Sequence, residues 1–177
     1  MSVKYTNALR VLREMLAQRG LDEQRLEHTR LGIVLTTSSN LKAIFVHSRL
    51  FNAGLIMNLF GWCREQAVTH VMVIHSGSAT HATKRIIDHN AGGILTELFT
   101  YSELQINITQ HSLVPVHRRL SLAEQHELSG RFATKHFPSL LALDPISRFY
   151  NFRVGDVIEI TRNDGIIIYR VVTAGSS

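Results

Sequence analysis

Residues 70–75 read His-Val-Met-Val-Ile-His, four apolar residues in unbroken succession. Successive side chains of a strand point to opposite faces, so a strand can be apolar throughout only where both faces are buried. This segment therefore demands a sheet with structure packed on each side. The surrounding sequence supplies it. Tyr5, Ala8, Leu9, Leu12 and Leu16 recur at helical spacing and stop at Gly20. Residues 52–66 read as a helix with Leu55, Leu59 and Trp62 on one face, and residues 80–90 as another. The runs LGIVLTT (31–37) and LKAIFVH (41–47) flank Ser38-Ser39-Asn40 as a hairpin. After a break at Ala91-Gly92-Gly93, ILTELF (94–99) reads as a further strand. The alternation of helix and strand implies an α/β unit with at least one parallel pair. A chain of 177 residues, 45% of them hydrophobic, has enough apolar surface to bury such a core.

Beyond about Ser102 the pattern changes. LQINIT (104–109) alternates like a half-buried strand, with Ile106, Ile108, Val114 and Val157 expected in a core. Ser121-Leu-Ala-Glu124 is a capping box that opens a helix running to about Arg131. Asp144-Pro145 places a cap and a first-turn proline at the start of another helix. VGDVIEITR and IIIYRVV flank Asn163-Asp164-Gly165 as a hairpin, and the tail TAGSS is expected to fray.

Several function classes lose support. No apolar run approaches the ~20 residues of a membrane-spanning helix, and the N-terminal residues lack the apolar core of a signal peptide. Cys63 is the single cysteine, which excludes an intrachain disulfide or a thiolate zinc site. None of the ten histidines falls in an H-x-x-x-H or H-E-x-x-H pattern, and the strands at 31–37, 41–47 and 70–75 carry no carboxylate for a metal nuclease. The stretch VMVIHSGSATHATKR (71–85) resembles catalytic loops only superficially. Ser76 is flanked by Ile74 and Ser78, and Ser78 by Ser76 and Thr80, where a nucleophile elbow needs glycines. Counted from Gly77, a P-loop would need Gly, Lys and Ser or Thr where Ala82, Thr83 and Lys84 stand. No enzyme activity, metal or cofactor is expected.

What remains is charge. Lysine and arginine number 19 against 14 acids, a net charge of +5. Residues 1–102 hold 11 bases and 7 acids, net +4, and residues 103–177 hold 8 and 7, net +1. The loop after residue 75 feeds a helix N-terminus, whose free amides favour an anion. Lys84 and Arg85 follow in its first turn, where the helix dipole disfavours cations and a phosphate partner would relieve the conflict. A free-standing basic DNA-binding module fits these features.

The second half carries a more specific pattern. Ile106-Asn107-Ile108-Thr109, His111, Leu113-Val114-Pro115 and His117 are followed by Asp144-Pro145, Arg148-Phe149-Tyr150, Gly155 and Tyr169-Arg170. In order and spacing these resemble the fifth, jaw-and-assembly subunit shared by eukaryotic nuclear RNA polymerases, whose C-terminal half is similar to a small subunit of archaeal RNA polymerase. The first half is similar more loosely, through Arg19-Gly20, Trp62-Cys63, Val68-Thr69 and VMVIH, with Thr80 and Lys84 in the family's Thr-Pro-Ser-Ala-Lys loop. His81 stands where that loop has proline, and Arg162-Asn163-Asp164-Gly165 shortens the family's last hairpin loop.

The resemblance implies an α/β N-terminal jaw domain, a mixed sheet flanked by helices over residues 1–102. It implies a small α+β C-terminal assembly domain over residues 103–177. The implied function is that of a non-catalytic subunit of a DNA-directed RNA polymerase. Its jaw would touch downstream duplex DNA without reading sequence, through Thr80, His81, Lys84 and Arg85. Its assembly domain would dock on the largest subunit and neighbouring small subunits. The docking candidates begin with His111, Pro115 and His117. They continue with Asp144, Pro145, Arg148 and Tyr150, and end with Arg162, Tyr169 and Arg170. The implied location is the nucleus, or a virion or cytoplasmic viral factory for a divergent, virus-encoded copy.

Overall fold

A computed structural model of the chain describes residues 3–46, 51–89, 93–132 and 136–175. The chain divides into two compact units, Met1–Ile106 and Asn107–Ser177.

The first unit is a five-stranded sheet in the order β1-β2-β3-β4-β5, formed by Glu23–Thr29, Gly32–Thr37, Lys42–Val46, His70–His75 and Leu95–Thr100. β1, β2 and β3 pair antiparallel, and β3, β4 and β5 pair parallel. The parallel strands are linked through α2 (Ala53–Glu65) and α3 (His81–Asp88), while α1 (Val3–Gln18) precedes the sheet. The two-faced burial expected of residues 70–75 is present, with Val71 to Ile74 all fully buried. Val71, Val73, Ile44 and Val46 form one cluster with Ile56, Leu59, Phe60 and Cys63 of α2. On the other face Phe45 meets Tyr5 of α1 edge-on, ring centroids 5.0 Å apart. Fully burying such side chains contributes roughly 1.5–3 kcal/mol each.

Two readings of this half shift. α2 buries Ile56, Leu59, Phe60 and Cys63, one position round from the expected face, leaving Leu55 and Trp62 half-buried. Lys42 Nζ lies 5.6 Å from the Trp62 ring centroid. β1 was not legible: Glu-Gln-Arg-Leu-Glu-His-Thr has no apolar face, and the strand forms because the backbone of β2 offers it a ladder. The 38–40 turn is as expected, with Asn40 in the left-handed region at φ 59° and its N–H donating to Thr37 O at 3.0 Å. His47, the predicted helix end at Asn90, the break at Ala91-Gly92 and the last two residues of the tail lie outside the described residues.

The second unit is a four-stranded sheet in the order β6-β8-β9-β7, formed by Val116–Arg119, Val157–Thr161, Ile167–Thr173 and Ser139–Leu141. One face carries Ile158, Ile160, Val172 and Leu140, packed with Ile146 and Phe152 around α5 (Pro145–Tyr150). The other carries Val157, packed with Leu120 and Leu128 of the α4 region (Leu122–Arg131). The chain is thus α/β with two sheets and helices against them, in agreement with the expected class.

Residues 104–109 are not a strand. They form turns and a 3-10 helix, Ile108–Gln110. Asn107 Oδ1 accepts from Thr109 N–H at 3.0 Å and from the Thr109 hydroxyl at 2.7 Å, a local bond that competes with a ladder. Leu104 and Asn107 are buried, three residues apart, and Ile106 is 64% exposed rather than in the core. The capping box is as the sequence predicts. Ser121 N–H donates to Glu124 Oε2 at 2.7 Å, and Glu124 N–H donates to Ser121 Oγ at 3.3 Å. Ser121→Ala is expected to cost about 1 kcal/mol of stability, read as a shifted urea midpoint at unchanged slope.

Candidate functional site

The first candidate surface is the start of α3. The chain leaves β4 at His75 and crosses the exposed Ser76 and Ser78. Thr80 then caps the helix: its Oγ1 accepts from Thr83 N–H at 3.2 Å and pairs with the Thr83 hydroxyl at 2.8 Å. Thr83 is fully buried, so the cap is anchored to the core. His81, Lys84 and Arg85 are exposed, and their i, i+3, i+4 spacing puts them on one face of the helix. At the far end His89 Nδ1 bonds Arg85 O at 2.8 Å.

Ion pairing sharpens this surface. Arg10, Arg13, Arg19, Arg25 and Arg30 are matched to Glu14, Glu23, Glu97, Glu27 and Glu65. Lys84 and Arg85 have no carboxylate partner among the described residues. Lys84 and Arg85 therefore keep their charge beside the first-turn amides of α3, an arrangement suited to a phosphate backbone. Sequence charge counts could not locate it, because they do not say which cations are already neutralised.

His75, where the loop begins, is 3% exposed. Its ring stacks on Phe51 at 4.2 Å between centroids and 7° between planes. Burial pushes its pKa down, while the Gly77 backbone and the Glu103 carboxylate pull the other way.

The second surface is in the C-terminal unit. Strand register puts His117 opposite Ile160 and Arg170 opposite Ile158, so both lie on the sheet face that carries α5. His117 Nδ1 bonds Pro115 O at 2.8 Å. Burial lowers the His117 pKa; the Pro115 bond and Asp144 raise it, and Arg170 lowers it. Asp144 caps α5, its Oδ1 accepting from Ile146 N–H at 2.8 Å, with Pro145 in the first turn. Arg148 is half-buried on α5, and Tyr150 stacks on Phe152 at 5.2 Å and bonds Thr109. Arg170 Nη1 donates to Ser139 O at 3.0 Å. His111 is exposed at the edge of this group, its Nδ1 accepting from Leu113 N–H at 3.2 Å.

Two candidates stand apart from this cluster. Tyr169 pairs with Glu159 and faces the opposite side of the sheet, stacking on Phe137 at 5.8 Å between centroids. Arg162 is exposed beside the hairpin turn, 3.7 Å from Asp164. The turn itself is tied back to the 111–115 loop, because Asn163 Nδ2 donates to Ser112 O at 2.8 Å. Exposed apolar residues border this region, among them Leu113 at 82% and Leu143 at 77% exposure, which sequence periodicity did not single out.

Residues 106–172 match the family described as RNA polymerase Rpb5, C-terminal domain. The chain is 34% identical over 113 residues to a putative DNA-directed RNA polymerase subunit 454R of Invertebrate iridescent virus 6, covering 58% of this chain and 60% of that protein. It is 32% identical over 101 residues to the DNA-directed RNA polymerases I, II, and III subunit RPABC1 of Caenorhabditis elegans, covering 56% and 48%. It is 29% identical over 116 residues to the DNA-directed RNA polymerases IV and V subunit 5B of Arabidopsis thaliana, covering 62% and 52%. The chain thus spans about half the length of the curated relatives it matches. Residues 106–172 are therefore similar to the Rpb5 C-terminal domain, and the chain that carries them is similar to small subunits of DNA-directed RNA polymerases, among them a viral one.

Proposed function

We propose that this protein is a non-catalytic subunit of a multisubunit DNA-directed RNA polymerase. The observation that carries the reading is the match of residues 106–172 to the Rpb5 C-terminal domain. In this reading the second unit docks on the largest subunit and neighbouring small subunits. His117, Asp144, Arg148, Tyr150 and Arg170 lie on the docking side with the 111–115 loop, and Arg162 and Tyr169 contact the partner at the margins. The first unit acts as a jaw on downstream duplex DNA through Thr80, His81, Lys84 and Arg85. With the Thr80 hydroxyl engaged in the cap, the contacts come from side-chain charge and the amides of the first turn, which hold a backbone without reading bases. The protein works in the nucleus, or in a viral factory or virion if a virus encodes it, as with the iridescent-virus relative.

Purification of the tagged chain from its native source at moderate salt tests the assignment. Two very large polymerase chains should co-purify in equal amount. Recovery of the chain alone, stable and binding DNA, would replace the subunit by a free-standing DNA-binding module. Within the assembled enzyme, Lys84→Glu with Arg85→Glu should leave subunit recovery unchanged. The pair should cut crosslinking of downstream DNA to this chain about tenfold at physiological salt. Unchanged crosslinking would remove DNA contact from the function.

A further inference from the structure

We propose that the groove between α2 and α3 docks a short acidic segment of a partner protein, which inserts apolar side chains between the helices, whether or not α3 also faces DNA. The groove has a volume of about 400 Å³. Among the described residues it is lined by Met57 of α2 and by Ala82, Arg85, Ile86 and His89. Positions 82, 85, 86 and 89 follow at helical spacing and form a single stripe along α3.

The floor of the groove is apolar. α2 turns Ile56, Leu59, Phe60 and Cys63 into the core, and Ile86 packs against that cluster from α3. Met57 lies off the buried face of α2 and is 47% exposed. The other large apolar side chains exposed in the first unit, among the described residues, have plain reasons to be so. Val3 opens α1, Leu26 is on the edge strand β1, and Ile106 ends the unit. Met57 instead stands in mid-helix beside a second helix. An exposed thioether adapts to many shapes and recurs on surfaces that accept apolar side chains.

The rim decides the occupant. No acidic residue lines the groove among the described residues, and Arg85 at its edge has no carboxylate partner among them. His89 Nδ1 donates to Arg85 O at 2.8 Å, which ties the ring to the same rim. Asp88 is exposed and does not line the groove. An apolar floor beside a guanidinium without a counter-charge fits an amphipathic helix laid in the groove, its apolar face inward and its carboxylates on Arg85. Duplex DNA presents phosphate and sugar along its backbone and gives the Met57 floor little to bury. A twofold contact between two copies centred on the groove would bring two cationic rims together.

The test uses the full chain and a short labelled helical peptide of alanine, leucine and glutamate, with the leucines on one face. A control peptide carries glutamine in place of every glutamate. The acidic peptide should bind, read by fluorescence anisotropy, and should shift the Met57 methyl resonance. Met57→Ala should weaken it about tenfold through the lost apolar contact. Arg85→Glu should weaken it about tenfold or more through charge reversal at the rim. Lys84→Glu should change it little, and Met57→Ala should leave the DNA crosslink of the assembled enzyme unchanged. Failure of the DNA reading and failure of this one are thus separable. Absence of binding, or equal binding with Met57→Ala, would overturn the proposal. A fall with Lys84→Glu as large as with Met57→Ala would overturn it by showing general charge attraction only. Equal binding of the glutamine peptide would overturn the acidic character of the partner. Self-association of the chain that Met57→Ala abolishes, with no peptide binding, would overturn it in favour of a second copy in the groove.

Discussion

Gly32→Ala is expected to destabilise the first unit by about 4 kcal/mol or more, among the largest effects a single methyl can have. Gly32 opens β2 with φ at 133°, a conformation that L side chains rarely adopt. A Cβ placed there would sit 2.0 Å from Phe45 O and 3.1 Å from its carbonyl carbon. Both obstacles are backbone, on the neighbouring β3, so neither can swing aside as a side-chain tip would. Relief requires separating β2 from β3 where Gly32 pairs with Val46 and Ile33 with Phe45. That opens a core in which Val46 and Phe45 are buried. The control is Gly61→Ala on α2, where an added Cβ meets nothing within 4 Å. There the change should stabilise by up to about 1 kcal/mol, through helix propensity. Urea denaturation followed by circular dichroism measures both. Equal midpoints for the two variants would mean that the β2–β3 approach is not as close as described.

Glu97→Ala should cost about 3–5 kcal/mol, because it leaves a buried guanidinium without its counter-charge. Arg19 Nη1 and Nη2 donate to Glu97 Oε1 and Oε2 at 2.9 and 2.8 Å, and His70 Nε2 bonds Oε1 at 2.7 Å. The side chains of Arg19 and Glu97 are 5% and 11% exposed, so solvent screens this pair little. It joins the residue just after α1 to strand β5. Burial alone raises the Glu97 pKa, but the bonds from His70 and Arg19 outweigh it and hold the carboxyl below its usual value. A depressed carboxyl pKa contributes stability that is present above the ordinary carboxylate range and lost as the pH falls through the folded-state value. The variant and the unsubstituted protein should therefore differ most at neutral pH and converge in acid. A stability difference that stays constant from pH 7 to pH 3 would show that the cost is a packing defect and not a lost charge pair.

Both residues show where reading the chain succeeds and where it stops. The apolar run at 71–74 dictated a two-sided sheet, the Ser121–Glu124 box opened α4 where expected, and Asp144-Pro145 opened α5. The Asn163-Asp164-Gly165 turn joined β8 to β9. Each of these depends on residues a few positions apart, and period, cap and turn chemistry act over that range. The failures were also local in cause. β1 has no apolar alternation to detect, and residues 104–109 alternate on paper while Asn107 bonds Thr109 and curls the backbone away from a strand.

The candidate site divides in the same way. The order of His111, His117, Asp144, Tyr150 and Arg170 was visible along the chain and pointed to the polymerase family. The sequence by itself determined the buried strand at 70–75, the caps of α4 and α5, the 163–165 turn and that family pattern, since all are written in neighbouring residues. Only the tertiary structure decided that Tyr169 faces away from Arg170, because the pairing of β9 with β8 assigns alternate residues to opposite faces. It alone decided that Arg19 is neutralised by a glutamate 78 positions away while Lys84 and Arg85 are left without a carboxylate among the described residues. Charge is a local property of a sequence, but its neutralisation depends on which distant groups folding brings within a few ångströms.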